Sequence, residues 1–355
     1  VKPGALILGL ETSCDETAAS VVEGGRLVRS SVVASQEDLH SEYGGVVPEI
    51  AGRAHVERIV PVIRSALSRA GVGLGDLEGI AVGHRPGLIG SLLVGVSAAK
   101  ALSWALSIPL IGVDHVHAHL YAPLLGADPE EDRFPALGLV VSGGHTSLYR
   151  CESPVALTRL GGTIDDALGE VYDKVATILG LPYPGGPRLD RLAAETGADD
   201  RAVDFPVSRL GADSLDFSFS GLKTAVLYAA RGKPPSSRPG SPPAAPAPAL
   251  TDARRRDLAA SFQRAAIAAV RLKLDRALDA HPDCRSVLVG GGVSANSRLR
   301  AELDALATRR GVAMRLPGPD YCVDNAAMIA GLGSAWLATG VRSDLTLTPT
   351  PTTGC

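Results

Sequence analysis

Two stretches of this chain repeat one plan. Ala5-Leu-Ile-Leu-Gly-Leu10 reads as a buried strand that runs into the polar, acidic loop Glu11-Thr-Ser-Cys-Asp-Glu-Thr17, and strand character resumes at Ala18-Ala-Ser-Val-Val22 before the turn Glu23-Gly-Gly25. Much later, Leu137-Gly-Leu-Val-Val141 enters Ser142-Gly-Gly-His-Thr146 and continues as Ser147-Leu-Tyr149. A strand, a polar loop and a strand, occurring twice, predict a duplicated α/β architecture. The two loops carry different chemistry. Twin glycines leave bare amides that suit a phosphate. The acids Glu11, Asp15 and Glu16 suit a cation or a proton transfer.

A third element lies between them. Ile108-Pro-Leu-Ile-Gly-Val113 reads as a short buried strand, followed by Asp114-His-Val-His-Ala-His119. On a helix, His115 and His119 share one face with Cβ atoms roughly 6 Å apart, so two imidazoles can share one metal ion. No Glu follows His115, which separates the pattern from the His-Glu-x-x-His of zinc peptidases. His117 points away, to packing or surface. Asp324, ahead of an Ala/Gly-rich helix from Ala326 to Leu337, is either an oxygen ligand beside this pair or a helix N-cap.

Other strand-to-helix junctions are glycine-rich. Gly79–Gly83 leads into His84-Arg-Pro-Gly-Leu-Ile-Gly90 and a small-residue helix to Leu106, with no P-loop pattern. Arg285–Asn296 ends a buried strand in three glycines, a surface for an adenine or ribose, with a helix from about Ser294. Asp173 and Asp190 flank a rigid Tyr-Pro-Gly-Gly-Pro turn and could accept hydrogen bonds from a ribose diol. Pro48 to Ala70 has the 3.6-residue apolar period of a helix, and 216–224 reads as a short strand leading into a helix.

Composition narrows the class. At 355 residues with 45% hydrophobic and 21% charged residues, the chain can build two lobes around a large core. A net charge of −3 gives no global nucleic-acid signature, so such a partner needs a local basic face. Five scattered cysteines without Cys-x-x-Cys spacing argue against a disulfide framework and for a reducing cytoplasm. No signal peptide is evident, and apolar runs such as 92–106 are broken by Gly, Ser and Lys, so no membrane association is expected. Residues 232–250, rich in Pro, Ser and Ala, read as an insert that cannot pack a core.

The first strand, loop and strand begin as the actin/hexokinase/heat-shock-ATPase superfamily does. The chain as a whole closely resembles the universal tRNA threonylcarbamoyladenosine transferase family in its bacterial TsaD form. The matching stretches are 9–17, Tyr-Gly-Gly-Val-Val-Pro-Glu (43–49), His115-x-x-x-His119, Val-Ser-Gly-Gly-His-Thr (141–146), Tyr-Pro-Gly-Gly-Pro (183–187), Phe-Ser-Phe-Ser-Gly-Leu-Lys-Thr (217–224), Gly-Gly-Val-Ser-Ala-Asn (291–296) and Cys-Val-Asp-Asn (322–325). They run in family order from about residue 6 to 340.

The resemblance implies a duplicated two-lobe fold with a central cleft. One lobe would span 1–135, joined by a C-terminal helix at 325–345. The other would span 136–324, and 346–355 would form a flexible tail. It implies transfer of threonylcarbamoyl from threonylcarbamoyl-AMP to N6 of adenosine 37 in tRNAs reading codons that begin with A, with release of AMP. His115, His119 and Asp324 match the ligands of one divalent metal, iron or zinc. Val140, Val141, Ser142, Gly143, Gly144, Asp173, Gly186, Asp190 and Asn296 match substrate or nucleotide positions, with ATP or ADP as further ligands. Asp15 and Glu16 match acids important for activity. The implied partners are tRNA, a TsaB-like actin-fold paralogue meeting the helix after Pro48, and a TsaE-like P-loop ATPase.

Three departures stand out. Arg85 replaces a glycine of the family's turn, the Pro-rich insert is atypical, and a basic, Trp-containing C-terminal segment is missing. A sugar-kinase-like or chaperone-like ATPase would need an Asp-x-Gly-Gly-Thr start, and a metallopeptidase would need a Glu to activate water; the chain has neither in the required place. A non-catalytic scaffold would follow if Arg85 blocked the site.

Overall fold

The structure, a computed structural model, describes residues 4–131, 133–233 and 248–353. Most of the Pro-rich insert lies outside these residues. In chain order the first half contains β1 (Leu6–Glu11), β2 (Glu16–Glu23), β3 (Leu27–Ser35), α1 (Glu37–Ser41), α2 (Pro48–Ala70), β4 (Gly79–Arg85), α3 (Ile89–Leu106), β5 (Leu110–Asp114) and α4 (His115–Tyr121). The second contains β6 (Ala136–Val141), β7 (Thr146–Ser153), β8 (Ala156–Gly162), α5 (Leu168–Ile178), α6 (Gly185–Ala193), α7 (Ser220–Arg231), α8 (Asp252–Ala280), β9 (Ser286–Gly290), α9 (Ser297–Arg310), β10 (Ala313–Arg315) and α10 (Ala326–Ala338).

The duplication is literal at the level of sheet topology. One sheet has the order β3-β2-β1-β4-β5 and the other β8-β7-β6-β9-β10. In each, three antiparallel strands are followed by two parallel ones. Gly9 pairs with Ser20 on one side and Ala81 on the other, and Gly138 occupies the same central place between Tyr149 and Leu288. Because β1 and β6 correspond, the loops that follow them emerge at corresponding ends.

Both central strands are buried along almost their whole length, which explains why they read as continuous apolar runs rather than alternating ones. Side chains still alternate by face. Leu8 and Leu10 join Ile59, Val62 and Ala66 of α2 in one cluster, while Ile7 joins Met328 and Ile329 of α10 in another. In the second sheet, Leu137, Leu139 and Val141 face Val171 of α5 and Phe262 of α8, whereas Ala136 and Val140 face the layer that holds α4 and α10. That layer therefore lies between the two sheets. α4 packs against β5, β6 and β9 at once, and α10 packs against β1, β2 and β4.

Several details differ from the sequence reading. Residues 216–219 form only an isolated bridge, Thr163 to Phe217, before α7. A 3-10 turn, Gly292–Ala295, precedes α9, which starts at Ser297 with Asn296 as its N-cap. α10 ends at Ala338, just before Gly340 adopts a φ of 87°. α3, discounted above as a membrane span, is long and apolar enough for one by length and composition, yet here it packs on β4 and α2. The segment read as a tail is described as far as residue 353 and lies against the first sheet. Ser343 Oγ accepts from Gly112 N at 3.0 Å, Leu347 joins the α2–α3 cluster, and Thr350 N donates to His84 O at 2.9 Å.

Candidate active site and metal centre

The ends of β1, β5 and β6 and the start of α10 meet around a cleft of about 910 Å³. Its walls come from both sheets. Ser13 to Glu16 line one side and Ser142 to His145 the other, with Pro86–Leu88, Asp173, Lys174, Tyr183 and Asp324 between them. This is the expected place for a ligand in a sheet of this kind, outside the carboxyl ends of the parallel strands.

α4 begins directly at the end of β5. Asp114 caps it, accepting from Val116 N at 3.0 Å and His117 N at 3.3 Å. The cap fixes the first turn and places His115 and His119 on one face, with ring centroids 4.7 Å apart at 77°. Asp324 approaches from the loop before α10. Its Oδ1 lies 3.4 Å from His115 Nε2 and 3.3 Å from His119 Nε2. One donor atom from each of the three falls within 4.8 Å of the others. Asp324 is free for this because Asn325, not Asp324, caps α10, accepting from Met328 N at 2.9 Å. His117 points elsewhere and packs edge-on against Tyr149.

The donor set fits a divalent ion. Among the described residues, Nδ1 of the fully buried His119 lacks a hydrogen-bond partner and Nε2 meets only Asp324 Oδ1 at a long 3.3 Å, a costly arrangement for a buried imidazole unless a ligand takes a lone pair. His115 Nδ1 donates to Glu11 Oε2 at 2.9 Å, which reserves Nε2, directed at Asp324, as the nitrogen that would bind an ion once it gives up its own proton. Glu11 is itself fully buried, and its other oxygen accepts from Ser13 N at 2.5 Å. The chain leaves room for it: a Cβ on Gly83 would lie 2.7 Å from Glu11 Oε2. Sequence reading grouped Glu11 with the loop acids. Its position as the last residue of β1, opposite the helix at the end of β5, is what makes it a histidine partner instead.

Electrostatics follow from burial and these contacts. Burial opposes charge on His115, yet Asp324 and Glu11 hold its pKa well above the ordinary histidine value. Burial likewise opposes charge on Asp324, and the two imidazoles overcome it, holding the carboxyl well below its ordinary range. Burial lowers His119, and burial with the nearby His115 and His119 lowers His145 to about 4. Glu16 is pushed up to about 10 by burial, then by Asp324 and Asp15. At neutral pH it carries its proton.

The remaining residues singled out from sequence fall into two groups. Asp15, Glu16, Ser142, Gly143, Gly144 and Asp173 line the cleft, and Gly143 and Gly144 are exposed there. Among the described residues, the lining omits Val140, Val141, Gly186, Asp190 and Asn296. Val140 and Val141 are core residues of β6. Gly186 N and Gly185 N both donate to Asp173 Oδ1, at 3.0 and 2.9 Å. Asp190 accepts from Ser297 N and Oγ, both at 3.0 Å, and from Gln263 Nε2 at 3.1 Å. Asn296 caps α9 and donates to Gln263 Oε1 at 3.0 Å. Gly186 thus ties α6 to α5, while Asp190 and Asn296 tie α6, α8 and α9 together. Arg85 turns its Nε toward Asp114 Oδ2 at 3.3 Å, and only its neighbours Pro86, Gly87 and Leu88 line the cleft.

Comparison with known proteins shows the family and the fold. The profile of the TsaD family, tRNA N6-adenosine threonylcarbamoyltransferase, matches residues 27–331. The chain is 51% identical over 347 residues to the tRNA N6-adenosine threonylcarbamoyltransferase of Trichlorobacter lovleyi, covering 98% of this chain and 96% of that protein. It is 50% identical over 350 residues to that of Symbiobacterium thermophilum, with the same coverage. Among solved structures it is similar in fold to HypF of T. kodakarensis (TM-score 0.61, 15% identity, 95% of this chain and 48% of that one). It is likewise similar to component A of the (R)-2-hydroxyglutaryl-CoA dehydratase of Acidaminococcus fermentans (TM-score 0.51, 12% identity, 94% and 99%). These distant likenesses speak for the actin/hexokinase-like two-lobe α/β fold. The near relatives identify the chain as an acyltransferase that modifies tRNA, a member of the tRNA N6-adenosine threonylcarbamoyltransferase family.

Proposed function

We propose that this chain transfers the threonylcarbamoyl group of threonylcarbamoyl-AMP to N6 of adenosine 37 in tRNAs reading codons that begin with A, releasing AMP. The observation that carries this reading is the cleft's two-sided chemistry: an acidic loop on one side, the exposed glycines 143–144 on the other, and between them His115 and Asp324 of the N,N,O donor trio, with the buried His119 behind them. Lobes at 1–135 and 136–324, with 325–345 joining the first, are the division that the two sheets suggest.

His115, His119 and Asp324 would hold one divalent ion, iron or zinc. Bound there, it would supply Lewis acidity and orient an oxygen of the substrate as charge develops. Gly143 and Gly144 present backbone N–H groups to the departing phosphate, and the same turn suits the phosphates of ATP or ADP. Asp173 faces the cleft with one oxygen committed to Gly185 and Gly186. The exocyclic amine of adenine is a weak nucleophile, so holding it in line contributes much of the rate. The two loop acids, Asp15 and Glu16, are the groups placed to accept the proton released from N6.

Partner docking has a matching surface. α2 and α3 lie side by side with Gly52 against Gly90, and their outer faces expose Val56, Val60, Ile89 and Leu93. A TsaB-like actin-fold paralogue is the occupant we assign to this face. A TsaE-like ATPase completes the set, and the cytoplasm, where tRNA and free thiols coexist, is the location.

The direct test is incubation of the chain with labelled threonylcarbamoyl-AMP, unmodified tRNA and both partners, followed by nucleoside analysis. Label in adenosine 37 with one AMP per modified base is the expected result. AMP release without label in tRNA, or phosphoryl transfer to a small substrate instead, would overturn the reading.

A further inference from the structure

The acidic loop is held from behind by a buried polar network whose residues the reaction itself does not use. Three consecutive carbonyls of the loop are each engaged. Ser13 O accepts from Leu88 N at 2.8 Å, Cys14 O from His55 Nε2 at 3.0 Å, and Asp15 O from Gln36 N at 3.1 Å. His55 projects from α2 and is fully buried, as are Thr17, Gln36 and His40.

The proton positions in this network are forced. Cys14 O can only accept, so His55 Nε2 carries the proton, and Nδ1 is the lone-pair nitrogen that accepts from Thr17 Oγ1 at 2.8 Å. Val47 N can only donate, at 3.3 Å, so His40 Nδ1 accepts and Nε2–H donates to Gln36 Oε1 at 3.2 Å. That sets the Gln36 amide, whose Nε2 donates to Ala51 O at 3.4 Å. The same Nε2 also lies 3.4 Å from His55 Nδ1, linking the two histidines through Gln36, and two neutral imidazoles satisfy the network; burial keeps His55 below its ordinary pKa. Desolvating two imidazoles, an amide and a hydroxyl is costly, and apolar packing of α2 would not require it. With the carbonyls of Cys14 and Asp15 tied to this network, the side chains from Ser13 to Glu16 line the cleft.

We infer that His55, seated by Thr17, is a positioning residue for the transfer reaction: it fixes the carbonyl of Cys14 and so aims the Asp15 and Glu16 carboxyls into the cleft. This rests on the reading that the loop acids serve the transfer. The test is a set of variants in the complete system with both partners. His55→Phe is expected to lower kcat by about tenfold to hundredfold, with KM for the adenylate and the bound-metal content unchanged. His55→Gln, which keeps a donor, recovers part of the loss. Thr17→Val, close in shape, gives a smaller loss of the same kind and serves if His55→Phe folds poorly. In an Asp15→Asn background, His55→Phe should cost less than about twofold more, since both act through one loop. Wild-type kcat in His55→Phe and Thr17→Val, or full multiplicative loss in the double variant, would overturn the inference while leaving the function intact. If the parent chain does not transfer at all, the functional reading fails separately. Amide exchange then decides: His55→Phe should speed exchange at 13–17 about tenfold or more with the second sheet unchanged, and unaltered exchange there would sink the claim.

Discussion

Glu16 shows how one side chain acquires a role from its surroundings. Its carboxyl lies in a half-buried loop near Asp324 and Asp15, and desolvation, then these two acids, push its pKa from an ordinary 4.5 to about 10. The folded protein therefore holds a proton that the unfolded chain releases above pH 4.5. Stability contributed by the protonated form is present in full below that value and is lost as pH rises toward 10, by at most about 1.4 kcal/mol per unit. Glu16→Gln keeps the shape without the titration. In metal-depleted protein its melting temperature should gain on the parent steadily from pH 5 to pH 9. A constant difference would show that Glu16 ionises normally. The sequence disclosed the acids of this loop but not their division of labour. Glu11, Asp15 and Glu16 are near neighbours in the chain, yet Glu11 serves His115 while Asp15 and Glu16 line the cleft. That division is made by residues more than a hundred positions away.

At the scale of elements, the metal trio depends on how α4 is wedged between the sheets. The spacing of His115 and His119 on one helical face was legible, because helical geometry alone fixes it. That Asp324 meets them was legible only through the resemblance, since the contact joins the first turn of α4 to a loop more than two hundred residues later. Local pattern also misjudged helix starts: the Gly292–Ala295 turn intervenes before α9, where three glycines give no periodicity to read. The wedge requires close approach. A Cβ on Gly290 would lie 2.0 Å from His119 O, and the neighbouring atoms are backbone that cannot swing aside. Gly290→Ala should therefore destabilise the fold by about 1–3 kcal/mol and weaken metal binding. Gly75→Ala, where a Cβ meets nothing within 4 Å, serves as the control for melting temperature. Equal melting and equal metal content in the two variants would contradict this account of α4.

For the molecule as a whole, the duplicated plan was the most legible feature. The two sheets share one topology, and the loops after β1 and β6 face the same cleft. Arg85, which departs from the family's glycine turn, reaches Asp114 rather than lining the cleft, so the structure gives it a tie to the cap of α4. Sequence could not have told the two outcomes apart, because both begin from the same strand end. The outer face of α2 and α3 is where we expect the paralogue. Val56→Asp with Leu93→Asp should abolish co-elution of the two proteins and leave the chain's own melting temperature within a few degrees. Undiminished co-elution would move the interface elsewhere.

The central claim is that the trio at the base of the cleft belongs to the transfer site. The most direct measurement is single-turnover transfer from labelled threonylcarbamoyl-AMP to tRNA by the parent chain and by His119→Ala, with bound metal counted in both. The account predicts that the variant loses its ion and at least about a hundredfold in transfer rate while still binding tRNA. Transfer at the parent rate by a metal-free His119→Ala would contradict it.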